Sequence, residues 1–157
     1  MVIRESLEPA IFSIMFPRTA VDIFIEIIQA DGGTRCASIT AASLALADAG
    51  VPLKDLVAGC AAGKIEETLV LDLDDTEDKY GEADLPLAYI PRTEEITLLQ
   101  MDGSFSPEEF EDAMNLAITG CKNIYEMQRE TLKKKYAEIR DETDSEDDVS
   151  EEGDLNG

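Results

Sequence analysis

Two short stretches of this chain combine residue types that can handle a phosphoryl group. The first is Ala30-Asp31-Gly32-Gly33-Thr34-Arg35. Paired glycines permit a tight turn and let a ligand approach the backbone, a helix start offers free N–H groups to an anion, and an arginine can grip a phosphate through two parallel hydrogen bonds. The second is Glu77-Asp78-Lys79-Tyr80-Gly81-Glu82-Ala83-Asp84. Asp78 and Asp84 stand six apart, roughly 240° around a helix or ~20 Å along a strand, so neither regular form lets both grip one ion. A turn between them would, and Gly81 can provide it. Carboxylates beside a phosphate repel it unless Mg²⁺ or Mn²⁺ bridges them or one is protonated.

Plainer readings of the same residues stand beside these. Gly32-Gly33 can simply turn the chain, with Thr34 capping a helix and Arg35 solvated in its first turn. Against that, an arginine at a helix N-terminus opposes the helix dipole, which a bound anion would offset. The stretch lacks the G-x-x-x-x-G-K-[ST] spacing of a P-loop. The carboxylate-rich segment can be a solvated acidic loop, and Asp72, Asp74 and Asp75 fit that reading better than an active one.

Composition narrows the chemistry further. With no histidine anywhere, a Ser-His-Asp or Cys-His nucleophile and an imidazole base are excluded, leaving carboxylates, Arg, Lys, hydroxyls or a bound ion. Cys36, Cys60 and Cys121 are widely spaced in apolar stretches and read as buried thiols. The net charge of −22 opposes a polyanionic partner, so a nucleic-acid site must be local, ion-assisted or completed by another chain. Part of that charge is a tail, 137–157, holding ten acidic residues and one basic. It is expected to be disordered. No apolar run reaches 18 residues and the start is not a secretory signal, so the chain is expected to be cytoplasmic with no membrane partner.

The elements that must position these residues read as follows. Residues 2–14 have helical apolar spacing interrupted at Pro9. Residues 20–29 alternate, with Val21, Ile23, Ile25 and Ile27 on one face, and are expected to form a strand. A small-residue helix follows from Thr34 and ends at Gly50, with Pro52 beyond. Residues 57–64 and 68–73 read as a strand pair, 74–83 as an acidic loop, and 85–90 and 96–101 as two further strands. Ser106-Pro107-Glu108-Glu109 is a capping box opening a long helix whose stripe of Phe110, Met114, Ala117, Cys121 and Ile124 is core. The element order points to an α+β or α/β unit in two layers, α+β being the expected class, with one domain over 1–136 and the tail after it.

The blocks QADGGTRCASITAASLALADAG, VLDLDDTEDKYGEADLPLAYIP and FSPEEFEDAMNLAITGCKNIYE, in that order, resemble the RNase PH family of phosphate-dependent 3′ exoribonucleases. The resemblance runs from about Val2 to Tyr136. Within the family, the third block and LPLAYIP are closer to the catalytic ring subunit of the archaeal exosome than to bacterial RNase PH. The resemblance implies the C-terminal half of a βαβ-rich fold. It lays the family's phosphate-binding stretch on Gly33, Thr34 and Arg35, and its two catalytic, metal-binding aspartates on Asp78 and Asp84. The family's N-terminal β-rich half and arginine-rich segment have no counterpart here, so the chain is expected to be N-terminally truncated and inactive alone.

What the resemblance implies for function is phosphorolysis: inorganic phosphate as co-substrate, Mg²⁺ or Mn²⁺ as cofactor, and stepwise release of nucleoside diphosphates from a single-stranded RNA 3′ end. The reverse reaction adds tails. Implied partners are an inactive sister subunit alternating in a hexameric ring and RNA-binding cap subunits. Two alternatives stand beside it: a non-catalytic scaffold of the same fold, and a bacterial-type RNase PH trimming transfer RNA.

Overall fold

The computed structural model describes residues 2–15 and 17–153, with side chains as far as Arg140. At its centre lies a sheet in which every pairing is antiparallel. Its strands are β1 (Ala58–Ile65), β2 (Thr68–Leu71), β3 (Ala83–Ile90), β4 (Glu95–Leu99) and β5 (Asp102–Gly103), in the order β2-β1-β3-β4, with β5 also beside β3. Among the described residues four α-helices accompany them, α1 (Val2–Leu7), α2 (Thr34–Asp48), α3 (Asp75–Tyr80) and α4 (Pro107–Gly153), with short 3-10 turns at Glu8–Ala10 and Ser13–Met15.

Alternation along the central strands sends successive side chains to opposite faces. Ala58, Cys60, Ala62, Leu85, Leu87 and Tyr89 pack against Ala113, Ala117 and Cys121 of α4. Val57, Ala88 and Ile90 pack on the other face against Leu7 of α1 and Ile39, Ala42 and Leu46 of α2. The α+β class is as expected, but the layers are three rather than two. A strand pair with both faces apolar must be covered twice, and β1 and β3 carry buried side chains on both.

Small residues let the helices sit close to the sheet. A Cβ at Gly59 would lie 2.9 Å from Cys36 Cα in α2, and one at Gly120 of α4 would lie 2.7 Å from Cys60 Sγ. Because β2 is short, the first N–H groups along β1 lack a strand partner on that side. The N–H groups of Val57, just before β1, and of Gly59 within it donate instead to Ser43 Oγ (2.8 Å) and Thr40 Oγ1 (3.0 Å) of α2. Helix and sheet are thus joined by hydrogen bonds as well as by packing.

Beyond a bulge between Ala88 and Tyr89, the pairing on β3 keeps one register from Ala88 back to Ala83, interrupted by a proline. Leu87 faces Leu99 and Asp84 faces Asp102, the same offset. Between them Pro86 has no N–H to give, and what remains is the Gln100 N–H donating to the Pro86 carbonyl at 3.1 Å. One continuous strand is therefore divided into β4 and β5.

Two further expectations are corrected. Residues 20–29 pair with no strand of the described sheet, and their apolar side chains stand exposed, Phe24 by 93% and Ile28 by 97%. Alternation specifies a face to bury but cannot supply the neighbouring strand. Residues 75–80 are helical rather than loop, because Asp74 accepts from the N–H groups of Thr76 and Glu77 while Glu77 reaches back to the Asp74 N–H, a capping box. The helical backbone of α4 is described as far as Gly153. The expected disorder of 137–157 falls largely on side chains beyond Arg140 and on residues 154–157, outside the described residues.

Candidate functional site

The phosphate-binding candidates open α2. Gly33 is the N-cap in left-handed conformation (φ 57°), Thr34 is the first helical residue, and no side chain caps the helix. The alternative in which Thr34 caps is therefore not what forms. The first intrahelical bond runs from the Ala37 N–H to the Gly33 carbonyl. The N–H groups of Thr34, Arg35 and Cys36 are left without a helical acceptor, as at any helix start. These residues line one side of a cavity of about 110 Å³.

Asp78 and Asp84 line the same cavity. Asp78 comes from α3, and Asp84 is the second residue of β3. Gly81 makes the corner between them: its N–H donates to the Glu77 carbonyl at 2.7 Å, and a Cβ there would lie only 2.5 Å from that same oxygen. The turn expected at Gly81 is the one observed.

Gly32 joins the two stretches, which lie some forty residues apart in sequence. It holds φ +76°, and a Cβ would meet the Leu73 carbonyl oxygen at 2.5 Å and Asp74 C at 2.7 Å. The turn before α2 therefore presses its backbone against the turn before α3. The five candidates, Gly33, Thr34, Arg35, Asp78 and Asp84, are all brought round one cavity.

Charge within the site is divided. Burial, with Asp78 as a second cause, pushes the Asp84 carboxyl up to about 6, while Arg35 and the Leu85 N–H pull it down. Two carboxylates close together in a partly desolvated place resist ionising together. Cys36 also lines the cavity, but burial pushes its thiol up to about 12, which leaves it protonated and inert.

A second polar cavity, of about 240 Å³, adjoins the first through Asp78 and Asp84 and is lined further by Lys79, Glu82 and Asp102. Sequence reasoning passed over Asp102 and Gln100. Gln100 accepts a hydrogen bond from the Arg35 guanidinium. Period two from the half-buried Leu98 places Gln100 and then Asp102 on the sheet face that α1 and α2 cover, and that signal was present in the sequence once the strand was continued past Met101.

The donor set suits a small divalent cation. Mg²⁺ is characteristically held by one or two carboxylates with substrate phosphates and water completing its shell. Asp78 and Asp84 supply such a pair on the wall that faces the start of α2 and Arg35, and among the described residues no group of three or more ligating side chains forms a closed cage. No helix among the described residues is long and apolar enough to cross a membrane.

Comparisons with known proteins agree on one family. Its two descriptions, "3' exoribonuclease family, domain 1" and "3' exoribonuclease family, domain 2", match residues 1–52 and 55–120. Similar relatives include "Exosome complex component Rrp41" of Thermococcus onnurineus, 63% identical over 141 residues, which are 90% of this chain and 57% of the relative. The protein of the same name from Nitrosopumilus maritimus is 56% identical over 135 residues, covering 86% of this chain and 55% of the relative. The chain thus spans little more than half the length of the curated relatives it matches. Among solved structures, rice (Oryza sativa) Rrp46 superposes with a TM-score of 0.63 over 68% of this chain and 51% of that one, at 24% identity, a likeness of fold.

Proposed function

The chain belongs to the 3′ exoribonuclease family, RNase PH, and from that premise we propose that it carries the chemical centre of a phosphorolytic exoribonuclease subunit of an archaeal exosome. The observation that carries the reading is the single cavity into which an uncapped helix start, an arginine and a carboxylate pair all converge.

In this reading the N–H groups at the start of α2 and the Arg35 guanidinium hold inorganic phosphate, with Thr34 beside them. A phosphate oxygen attacks the phosphorus of the last phosphodiester of an RNA 3′ end. The new P–O bond forms as the bond to the 3′ oxygen breaks, so the terminal nucleotide leaves as a nucleoside diphosphate. Asp84 gives a proton to the departing 3′ oxygen and regains one from the attacking phosphate. In the metal-free chain burial, and Asp78 after it, raise its carboxyl to about 6. Asp78 and Asp84 are also the residues to hold Mg²⁺ or Mn²⁺, which when bound supplies neutralisation of the charge gathered between two phosphoryl groups.

Partners follow from charge. A chain of −22 gathers little RNA by itself, so the RNA surface belongs to other subunits: a sister subunit in a hexameric ring and RNA-binding caps. The setting for such an assembly is the cytoplasm.

The test combines the chain with the remaining subunits of an archaeal exosome and single-stranded RNA, with and without inorganic phosphate. The expected result is phosphate-dependent shortening with nucleoside diphosphates as products, falling about 10²-fold or more in Asp84→Asn. Shortening that ignores phosphate, or that survives Asp84→Asn undiminished, ends the proposal.

A further inference from the structure

We infer that Gln100 is a positioning residue for phosphate, holding the Arg35 guanidinium in the cavity while leaving its charge unneutralised. The inference rests on the reading of that cavity as the phosphate site and adds a residue to it.

Arg35 has a difficult placement. Its side chain leaves the exposed first turn of α2, carries considerable rotamer freedom, and has Asp78 and Asp84 on the wall of the same cavity. A guanidinium in such company has an obvious alternative to phosphate, a two-bond fork onto a carboxylate. That arrangement would occupy the donors an anion needs and cancel the charge that attracts it. Among the described residues, however, Arg35 enters no salt bridge. Its partner is the Gln100 side chain, with Arg35 Nη1 donating to Gln100 Oε1. Since arginine only donates, the amide must present its oxygen. A neutral acceptor orients the guanidinium through one of its five donors and leaves the rest, with the full charge, for an incoming anion.

Gln100 is itself held in place. Its N–H donates to the carbonyl of Pro86 at 3.1 Å, and Pro86 is another residue of the cavity wall. Its strand neighbour at period two, Leu98, is half-buried against the core cluster that Leu7 of α1 shares with Ile39 and Leu46 of α2. The side chain that steers Arg35 thus stands half-buried on a strand anchored to β3, directly across from the proline that interrupts the ladder.

The experiment titrates inorganic phosphate into the full chain and into Gln100→Ala, Gln100→Glu and Arg35→Ala, following binding by calorimetry and the Arg35 side-chain ¹⁵N signals by NMR. Gln100→Glu is close to isosteric and keeps an acceptor, so it tests charge without removing bulk. Expected are about a tenfold loss of phosphate affinity in Gln100→Ala and a larger loss in Gln100→Glu, whose carboxylate pairs with Arg35. The Arg35 signals of the free chain, with guanidinium rotation slowed by the bond, should average in Gln100→Ala, and the unfolding midpoint should stay close to that of the wild type. Phosphate affinity within twofold of wild type in both Gln100 variants, with loss in Arg35→Ala, overturns the assignment and leaves the cavity reading intact. A wild-type chain that binds no phosphate overturns the cavity reading and this assignment with it.

Discussion

Asp84 is a residue whose burial opposes its charge, and the proposed phosphorolysis gives that cost a use. Its carboxyl is pushed up to about 6 by burial first and by Asp78 second, so the folded chain takes up a proton more readily than the unfolded chain, whose aspartate titrates near ~3.9. Stability therefore falls as pH rises from about 4 to about 6 and stays lower above that. Replacing Asp84 by Asn removes the term. In metal-free buffer, Asp84→Asn should unfold later than wild type at pH 7 to 8, by on the order of 1 kcal/mol after allowing for partial solvent screening. The difference should vanish below about pH 4, where both side chains are neutral. Thermal unfolding of the two proteins across pH 4 to 8 checks this, and a variant less stable than wild type at neutral pH would contradict it. A stabilising substitution that removes activity is the expected signature of a group kept for chemistry.

At the scale of elements, the site depends on two turns pressed together. Gly32 and Gly50 both sit at φ +76°, but a Cβ at Gly32 would strike the Leu73 and Asp74 backbone, whereas one at Gly50 meets nothing within 4 Å. Alanine at Gly50 should cost only the left-handed conformation, about 1 to 2 kcal/mol. Alanine at Gly32 adds overpacking against backbone, for a total of about 2 to 4 kcal/mol. Denaturant unfolding measures both, and only Gly32→Ala should also weaken phosphate binding, because it parts the start of α2 from the start of α3. Equal effects at the two positions would show that the contact does not set the site. Much of this scale was legible in advance. The Ser106 capping box formed as read, with Glu109 returning to the Ser106 N–H at 2.7 Å. The capping box of Asp74 and Glu77 was equally present in the sequence but was masked by the acidity of its surroundings, which reads as solvated loop.

Across the whole molecule, two surfaces remain to be accounted for. One is the acidic exterior, from which the expectation of partner-supplied RNA binding follows. The other is 20–29, whose apolar side chains on both faces lie open. Exposed apolar segments of strand-like pattern favour association between chains. Ile28→Lys, at a side chain 97% exposed, should leave the unfolding free energy within about 0.5 kcal/mol of wild type while reducing concentration-dependent association in sedimentation velocity. An unchanged association profile would mean that this segment is not the adhesive surface.

By itself the sequence determined which residues could meet a phosphate, the strand and helix types around them, and the family to which the pattern belongs, because turn chemistry, capping and periodicity are local properties carried by neighbouring residues. Only the tertiary structure decided that 20–29 forms no strand here, that helices cover both faces of the sheet, and that Gly32 seats one turn on the other. Those outcomes depend on contacts between residues far apart in the chain, and a local pattern can favour such contacts without supplying the partner. Gln100 belongs to the same class. Alternation along LLQMDG can place Gln100 on one face, but only the register on β3, interrupted at Pro86, sets its amide beside Arg35, sixty-five residues away in sequence.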